Sequence, residues 1–109
     1  MKINIDKLER DICAAQRAAD KFRNINDGGC CNFDTPCIYL GRNTAAMRNA
    51  LACLDWKVTP VDGGKYWTGW WFVYINTNGQ GDRRSRMAEA ACDSLAAAGW
   101  QMRMYYQMD

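Results

Sequence analysis

The chain has 109 residues, 49% of them hydrophobic, and its 14 basic and 12 acidic residues leave a net charge of +2. That length is typical of one domain with its own core, so we expect a single domain over residues 1–109. The small net charge provides no strong field for a polyanionic partner. No apolar run approaches the roughly 20 residues that cross a bilayer, so we expect a soluble protein without a membrane partner.

The first twelve residues, MKINIDKLERDI, lack the cationic and apolar regions of a secretory signal. We therefore expect a cytoplasmic protein, in which the six cysteines are reduced thiols. Three of them lie in alanine-rich helical patterns, where a free cysteine behaves as a small apolar residue: Cys13, Cys53 and Cys92. The roles of the other three stay open: Cys30, Cys31 and Cys37.

An amphipathic pattern runs over about residues 4–25. Its apolar residues recur at alternating steps of three and four: Ile5, Leu8, Ile12, Ala15, Ala19 and Phe22. This spacing predicts a long helix with a narrow apolar stripe. The stripe could pack on the domain or pair with a second copy, so we expect a monomer or a homodimer through this helix.

The bulkiest segment is Tyr66–Ile75, with the sequence YWTGWWFVYI. All of its residues except Gly69 are aromatic, β-branched or threonine, which predicts a strand. A shorter strand over Trp56–Val61 precedes it, and the Asp-Gly-Gly turn between them is typical of a β-hairpin. We expect the tryptophan-rich strand to lie in the centre of a sheet.

Two more strands and two helices complete the pattern over about residues 36–108. Strands are predicted at 37–40 and 100–108. One helix is predicted after a cap at Asn43 or Thr44, running to about Leu54, and another after a cap at Asp82, ended by Gly99. The order after the first helix is β-α-β-β-α-β. It predicts an α+β fold of the ferredoxin-like type, a four-stranded antiparallel sheet with two helices on one face, plus the N-terminal helix.

The chain contains no histidine. This excludes a Ser-His or Cys-His nucleophile pair, an imidazole general base and histidine metal ligands. Cys30, Cys31 and Cys37 lack the paired two-residue spacing of a zinc ribbon, so we predict no metal and no cofactor; the alternative is a thiolate site of these three with Cys13 or Cys53. Four aspartates could in principle act as paired acids, but all occupy turn or cap positions: Asp27, Asp34, Asp62 and Asp82. We therefore predict that the protein is not an enzyme.

The segment GQGDRRSR precedes and opens the last helix. A glycine-containing loop at a helix N-terminus presents free N–H groups to an anion, and arginines suit phosphate or carboxylate. The predicted contacts to a phosphate or to an acidic protein surface are Gln80, Arg83, Arg84 and Arg86. The structural alternative is a solvated face with ion pairs to Asp82 and Glu89, since arginine in a first turn opposes the helix dipole.

A second candidate is the sheet face turned away from the last two helices. If Trp71, Val73 and Ile75 face those helices, the other face carries Trp70, Phe72, Tyr74, Arg103 and Tyr105. Trp70 and Tyr105 could stack bases there, and Arg103 could contact a partner or a phosphate. The glycine, aromatic and basic pattern of RNA-recognition domains is absent. We expect instead that the N-terminal helix covers this face with its apolar stripe.

The stretches GGCCNFDTP, RMAEAACDSLAAAGW and YYQMD resemble small uncharacterised proteins encoded by phages and prophages of gut bacteria. The similarity spans the chain from about Asp27 onward. It implies a protein that blocks a host defence system in the bacterial cytoplasm, as anti-CRISPR proteins do. The leading hypothesis is thus a non-catalytic inhibitor that binds a host defence protein such as a Cas protein. The alternative is a nucleic-acid or nucleotide-binding module that uses the arginines together with Trp70 and Tyr105.

Overall fold

The computed structural model describes residues 3–29, 33–54, 57–79 and 81–106. The helices and strands of this part are, in chain order, α1 (Ile5–Asp20), β1 (Thr35–Tyr39), α2 (Ala45–Ala50), β2 (Val58–Pro60), β3 (Trp70–Val73), α3 (Asp82–Ala97) and β4 (Met102–Tyr105). Two 3₁₀ turns lie at Ala52–Leu54 and Lys65–Trp67. The predicted α+β class with a four-stranded antiparallel sheet is confirmed. None of the described helices is long and apolar enough to span a membrane.

The strands lie in the order β2-β3-β1-β4, so β1 and β3 are central. The predicted strand over Tyr66–Ile75 is shorter than expected, because Lys65–Trp67 forms a 3₁₀ turn and Gly69 has a φ of 87°. A glycine tolerates this left-handed conformation, in which the chain turns into β3. The remaining strand, β3, occupies the central position expected for it. Trp56, at the predicted start of the preceding strand, lies outside the described residues.

Helices α1 and α3 pack against each other and against one face of the sheet. The predicted stripe of α1 is confirmed by its buried residues: Leu8, Ile12, Ala15 and Ala19. They share a core with residues of α3 and of the central strands: Met87, Ala91, Leu95, Ile38, Trp71 and Val73. Alanines at this contact allow the helices to lie close to bulky side chains, as close packing requires.

The prediction that α1 covers the opposite face of the sheet is wrong. The reason lies in α2, which has only six residues and buries none of them. This helix was expected to reach Leu54, but it ends at Ala50, and only Leu51 and Leu54 after it are buried. The place beside α3 is therefore taken by α1. Since Leu8, Ile12, Ala15 and Ala19 are at most 4% exposed, this part of the stripe is not available for pairing with a second copy.

Asp11 links α1 to the segment after α3. Its Oδ2 accepts hydrogen bonds from Lys7 Nζ at 2.6 Å and from Trp100 Nε1 at 2.8 Å. Lys7 Nζ also donates to the carbonyl oxygen of Ala98 at 2.9 Å. The hydrogen bond from Lys7 is the main reason that the pKa of Asp11 lies below its ordinary value, although partial burial opposes this.

We predict that replacing Asp11 by asparagine removes part of the pH dependence of stability. A carboxyl group whose pKa is lower in the folded state stabilises the fold above its unfolded pKa of about 4, and this contribution is lost as the pH falls through the folded pKa. The free energy of unfolding should therefore be lower for Asp11→Asn than for wild type at neutral pH, and the two should converge in acid. Urea unfolding followed by tryptophan fluorescence at decreasing pH measures this.

Glu9→Gln is the matched control, because Glu9 is exposed on the same helix and forms no ion pair within the described structure. A difference between wild type and Asp11→Asn that stays constant from neutral to acid pH would contradict the prediction.

Candidate functional site

The sheet face opposite the two long helices carries aromatic side chains. The strand register pairs Tyr39 with Trp70, and Thr35 with Tyr105. Directly paired residues of antiparallel strands share a face, so these side chains lie on the same side of the sheet as Phe72 and Arg103, which both pair with Cys37. The structure thus brings together Trp70, Phe72, Arg103 and Tyr105 on the face predicted for them.

Trp67, which the sequence pattern assigned to the strand, also belongs to this face. It lies in the 3₁₀ turn before β3, and its ring contacts Trp70 and Tyr105 edge to face, with centroids 6.1 and 5.3 Å apart. We call the surface formed by these side chains the aromatic face: Tyr39, Trp67, Trp70, Phe72, Arg103 and Tyr105. Gly69, which ends the turn, was the sequence signal that could have separated Trp67 from the strand.

Arg103 is the cation of the aromatic face. Its guanidinium carbon lies 4.1 Å from the ring centroid of Trp67 and 5.2 Å from that of Trp70, which are cation–π distances. Its Nη1 donates a hydrogen bond to the carbonyl oxygen of Tyr66 at 3.1 Å. The guanidinium is therefore held over the rings while the residue as a whole remains exposed.

The rings form one continuous network. The ring centroids of Tyr39 and Trp70 are 5.7 Å apart and those of Phe72 and Tyr105 are 5.3 Å apart, and both pairs are edge to face. Exposure differs across it, since Trp70 is only 8% exposed and Tyr39 is 36% exposed. Because the rings hold one another, the face is ordered before any partner binds, which lowers the entropy cost of association.

Cys37 lies beneath this network and is fully buried. The ring of Trp67 reaches from β3 to β4 and so crosses β1, the strand that carries Cys37. Burial raises the pKa of the Cys37 thiol to about 12, and burial likewise raises that of Cys92 in α3 to about 11. Both thiols are therefore protonated at neutral pH and are poor nucleophiles and metal ligands.

The described residues contain no group of three acidic or cysteine side chains placed to hold a metal ion. Cys30 and Cys31 lie outside these residues, as does Gln80 of the predicted phosphate site. Of the aspartates considered for acid catalysis, Asp34 is buried and accepts a hydrogen bond from Ser85 Oγ at 2.7 Å.

The N-terminus of α3 is occupied by a carboxylate of the chain itself. Oδ1 of Asp27, in the loop after α1, accepts from the backbone N–H groups of Gly81 and Arg83 at 3.0 and 3.1 Å. Asp82 was expected to cap this helix, but the cap position is Gly81 and the capping oxygen comes from Asp27. The N–H groups predicted to receive an external anion thus already have an acceptor.

The three arginines of this segment do not form one surface. Arg83 Nε donates to the carbonyl oxygen of Ile25 at 2.8 Å, which ties it to the loop after α1. Arg84 is half-buried and contacts Thr35 and Thr77, whereas Arg86 is exposed and lies 5.1 Å over the ring of Phe22. No ion pair joins any of them to Asp82 or Glu89 within the described part of the chain.

Comparison of the chain with protein-family models, with curated proteins and with solved structures found no match.

We predict that Asp27→Ala destabilises the protein by about 1–2 kcal/mol, the usual cost of losing an N-cap oxygen. Asp62→Ala is the matched control, because Asp62 is an exposed aspartate in the hairpin loop. Urea unfolding followed by circular dichroism compares the two variants. Equal stabilities of Asp27→Ala and Asp62→Ala would show that the capping contacts contribute nothing.

We further predict that Trp67 shields Cys37 from modification. In the folded wild type, iodoacetamide at neutral pH should alkylate the exposed Cys13 and leave Cys37 unmodified. Trp67→Ala should raise the alkylation rate of Cys37 by at least about tenfold, since it opens access to the thiol. Mass spectrometry of the cysteine peptides measures both rates.

Tyr66→Ala serves as the control for this experiment, because Tyr66 lies in the same turn with its side chain 76% exposed. Alkylation of Cys37 at the same rate in both variants would mean that Trp67 does not cover it.

Proposed function

We propose that this protein is a non-catalytic binding protein and that the aromatic face is its interaction surface. The observation that carries the proposal is the position of Arg103 over the rings of Trp67 and Trp70, on a sheet face that no described helix covers. Tryptophan, tyrosine and arginine are the residues that most often dominate binding energy at protein interfaces. The same residues on an exposed sheet face are therefore suited to recognition of a protein partner.

The chemistry of this surface constrains the partner. The aromatic rings supply an apolar centre of low conformational freedom. Arg103 has five N–H donors, of which one is engaged by the Tyr66 carbonyl oxygen, so others remain for an acceptor. A partner surface with an apolar patch next to a carboxylate would match both features.

We also propose that the fold is a variant of the ferredoxin-like arrangement. The strand order β2-β3-β1-β4, with antiparallel neighbours, supports this. The variation is in the helical layer, where α1 rather than the short α2 lies beside α3.

The identity of the partner stays a prediction. That the protein is phage-encoded, that it acts in the bacterial cytoplasm and that it inhibits a host defence system such as CRISPR-Cas rest on the sequence resemblance alone. Arg83 donates to the Ile25 carbonyl oxygen and Arg84 is half-buried, whereas Arg103 is exposed, so Arg103 is a better candidate for contact with a partner protein than these two arginines of α3.

A nucleic-acid-binding module is the second candidate. It is favoured by aromatic side chains and Arg103 on one face of a four-stranded antiparallel sheet, the arrangement that stacks bases in RNA-recognition domains. Against it, one face of the Trp67 ring is occupied by the Arg103 guanidinium, and Trp70 is nearly buried. Few ring faces are thus free to stack on a base.

We predict that Arg103→Glu abolishes partner binding while leaving the fold intact. The substitution inverts the charge at the aromatic face and touches no residue of the helical core. Arg86→Glu is the matched control, an exposed arginine on α3. Tagged wild type and Arg86→Glu should retain the same protein from a bacterial host lysate, and Arg103→Glu should not. With the purified partner, calorimetry should give an affinity at least about tenfold weaker for Arg103→Glu.

The outcomes separate the candidates. Unchanged binding by Arg103→Glu with loss in Arg86→Glu would assign the contact to α3 rather than the aromatic face. Quenching of tryptophan fluorescence by single-stranded oligonucleotides or cyclic nucleotides, steeply reduced by salt and lost in Arg103→Glu, would establish the nucleic-acid alternative. Inhibition of a defence system is tested by phage infection of a defended host that expresses either variant.

A further inference from the structure

The central strands of the sheet separate at one end. Strands β1 and β3 are paired only from Cys37–Phe72 to Tyr39–Trp70. Beyond Cys37, β1 stays paired with β4 as far as Thr35. Beyond Phe72, β3 stays with β2, where the N–H of Tyr74 donates to the carbonyl oxygen of Lys57 at 2.7 Å. A gap therefore opens between two halves of the sheet, each of which keeps its own hydrogen bonds.

Pro36 explains why the gap begins where it does. The N–H of Tyr39 donates to the carbonyl oxygen of Gln101, just before β4, and the N–H of Leu40 donates to the carbonyl oxygen of Gly69, just before β3. Because these directions alternate along a strand, the backbone N–H of residue 36 would point toward β3. Proline has no N–H, so the next hydrogen bond between β1 and β3 is not available.

The gap leads into a cavity of about 300 Å³ that extends to α3. Its apolar wall comes from residues of both separated strands and of α3: Pro36, Phe72, Val73, Ile75 and Ala88. Its lining also includes three charged residues: Lys57, Asp34 and Arg84. This combination of an apolar wall and a few charged groups is typical of small-molecule sites, and the volume is at the lower end of their range.

Arg84 spans the cavity between the two halves of the sheet. Its Nη1 lies 3.4 Å from Thr77 Oγ1 and its Nη2 lies 3.5 Å from Thr35 Oγ1, which are long hydrogen bonds to neutral groups. Its Nε is buried and has no hydrogen-bond partner within the described structure. No carboxylate pairs with this guanidinium there. A buried Nε–H group without an acceptor is costly, and an oxyanion bound there would remove that cost.

We propose that this cavity binds a small organic anion, with its carboxylate or phosphate on Arg84 and its apolar body against Phe72 and Val73. Lys57 adds a second positive charge to the same cavity. Asp34, whose Oδ2 accepts a hydrogen bond from Ser85 Oγ, also lines the cavity. The volume of about 300 Å³ matches a small organic molecule, so we propose for this site a ligand different from the partner of the aromatic face.

Three probes of similar shape test the proposal: benzoate, phenyl phosphate and the uncharged benzamide. We expect benzoate or phenyl phosphate at millimolar concentration to raise the melting temperature of the wild type, because a ligand that binds only the folded state stabilises it. Benzamide should not. Binding of benzoate alone identifies a carboxylate site, and binding of phenyl phosphate alone identifies a phosphate site.

Two variants locate the binding. Arg84→Gln should weaken the affinity measured by calorimetry at least about tenfold, whereas Arg86→Gln should leave it unchanged. Ala88→Leu fills the cavity from α3 and should abolish binding, which keeps the test valid if Arg84→Gln fails to fold. The proposal is overturned if neither anion binds the wild type, if benzamide binds equally well, or if the anions bind the folded Arg84→Gln or Ala88→Leu variant with wild-type affinity.

Discussion

Trp70 and Trp71 are adjacent in β3 and must point to opposite faces of the sheet, because side chains of a strand alternate. Since β3 is a central strand, neither tryptophan lies at a sheet edge, where its side chain could extend into solvent. The chain therefore has to provide apolar surroundings on both faces. Burial of two such side chains contributes several kcal/mol in total, so the arrangement of the other elements depends on how each face is completed.

The two faces are completed in different ways. Trp71 is buried by the helices, and its Nε1 donates to the carbonyl oxygen of Gly41 at 2.9 Å, so its polar atom is satisfied. Trp70 is buried by Tyr39 and Trp67, side chains of the sheet and of its own hairpin. Packed helices can bury one face of the sheet completely. On the other face a single layer of side chains covers Trp70, and the outer side of that layer remains in contact with water. The aromatic face is thus a consequence of having only one helical layer.

Sequence periodicity predicted which residues are buried better than it predicted what buries them. The stripe of α1 follows from local geometry, and so does the placement of Trp71 and Val73 against the helices with Trp70 and Phe72 on the other face; both are observed. An apolar stripe does not indicate which surface it packs against, however. The packing of α1 beside α3 depended on α2 being too short to occupy that position.

The candidate site was predictable only in part, for the same reason. Arg103 and Tyr105 could be assigned to a face by alternation, but Trp67 reaches that face from a turn, where no periodicity applies. The capping of α3 by Asp27 joins residues 54 positions apart in sequence, which no local motif reveals. Both misses concern contacts between distant segments rather than the type of local structure.

Pro36 shows how a local rule and a global arrangement combine. A proline within a segment normally argues against assigning that segment to a central strand, because proline cannot donate a hydrogen bond to the neighbouring strand. Here the loss is confined to one position, since β4 continues to pair with β1 on the other side as far as Thr35. The sheet therefore consists of two pairs of antiparallel strands, β2-β3 and β1-β4, which are joined through only three residue pairs between β1 and β3. Where β1 and β3 are not paired, the residues on either side line the cavity. Phe72 belongs to both regions: it contacts Tyr105 on the aromatic face and lines the cavity at the gap, so these two features are neighbours on one strand.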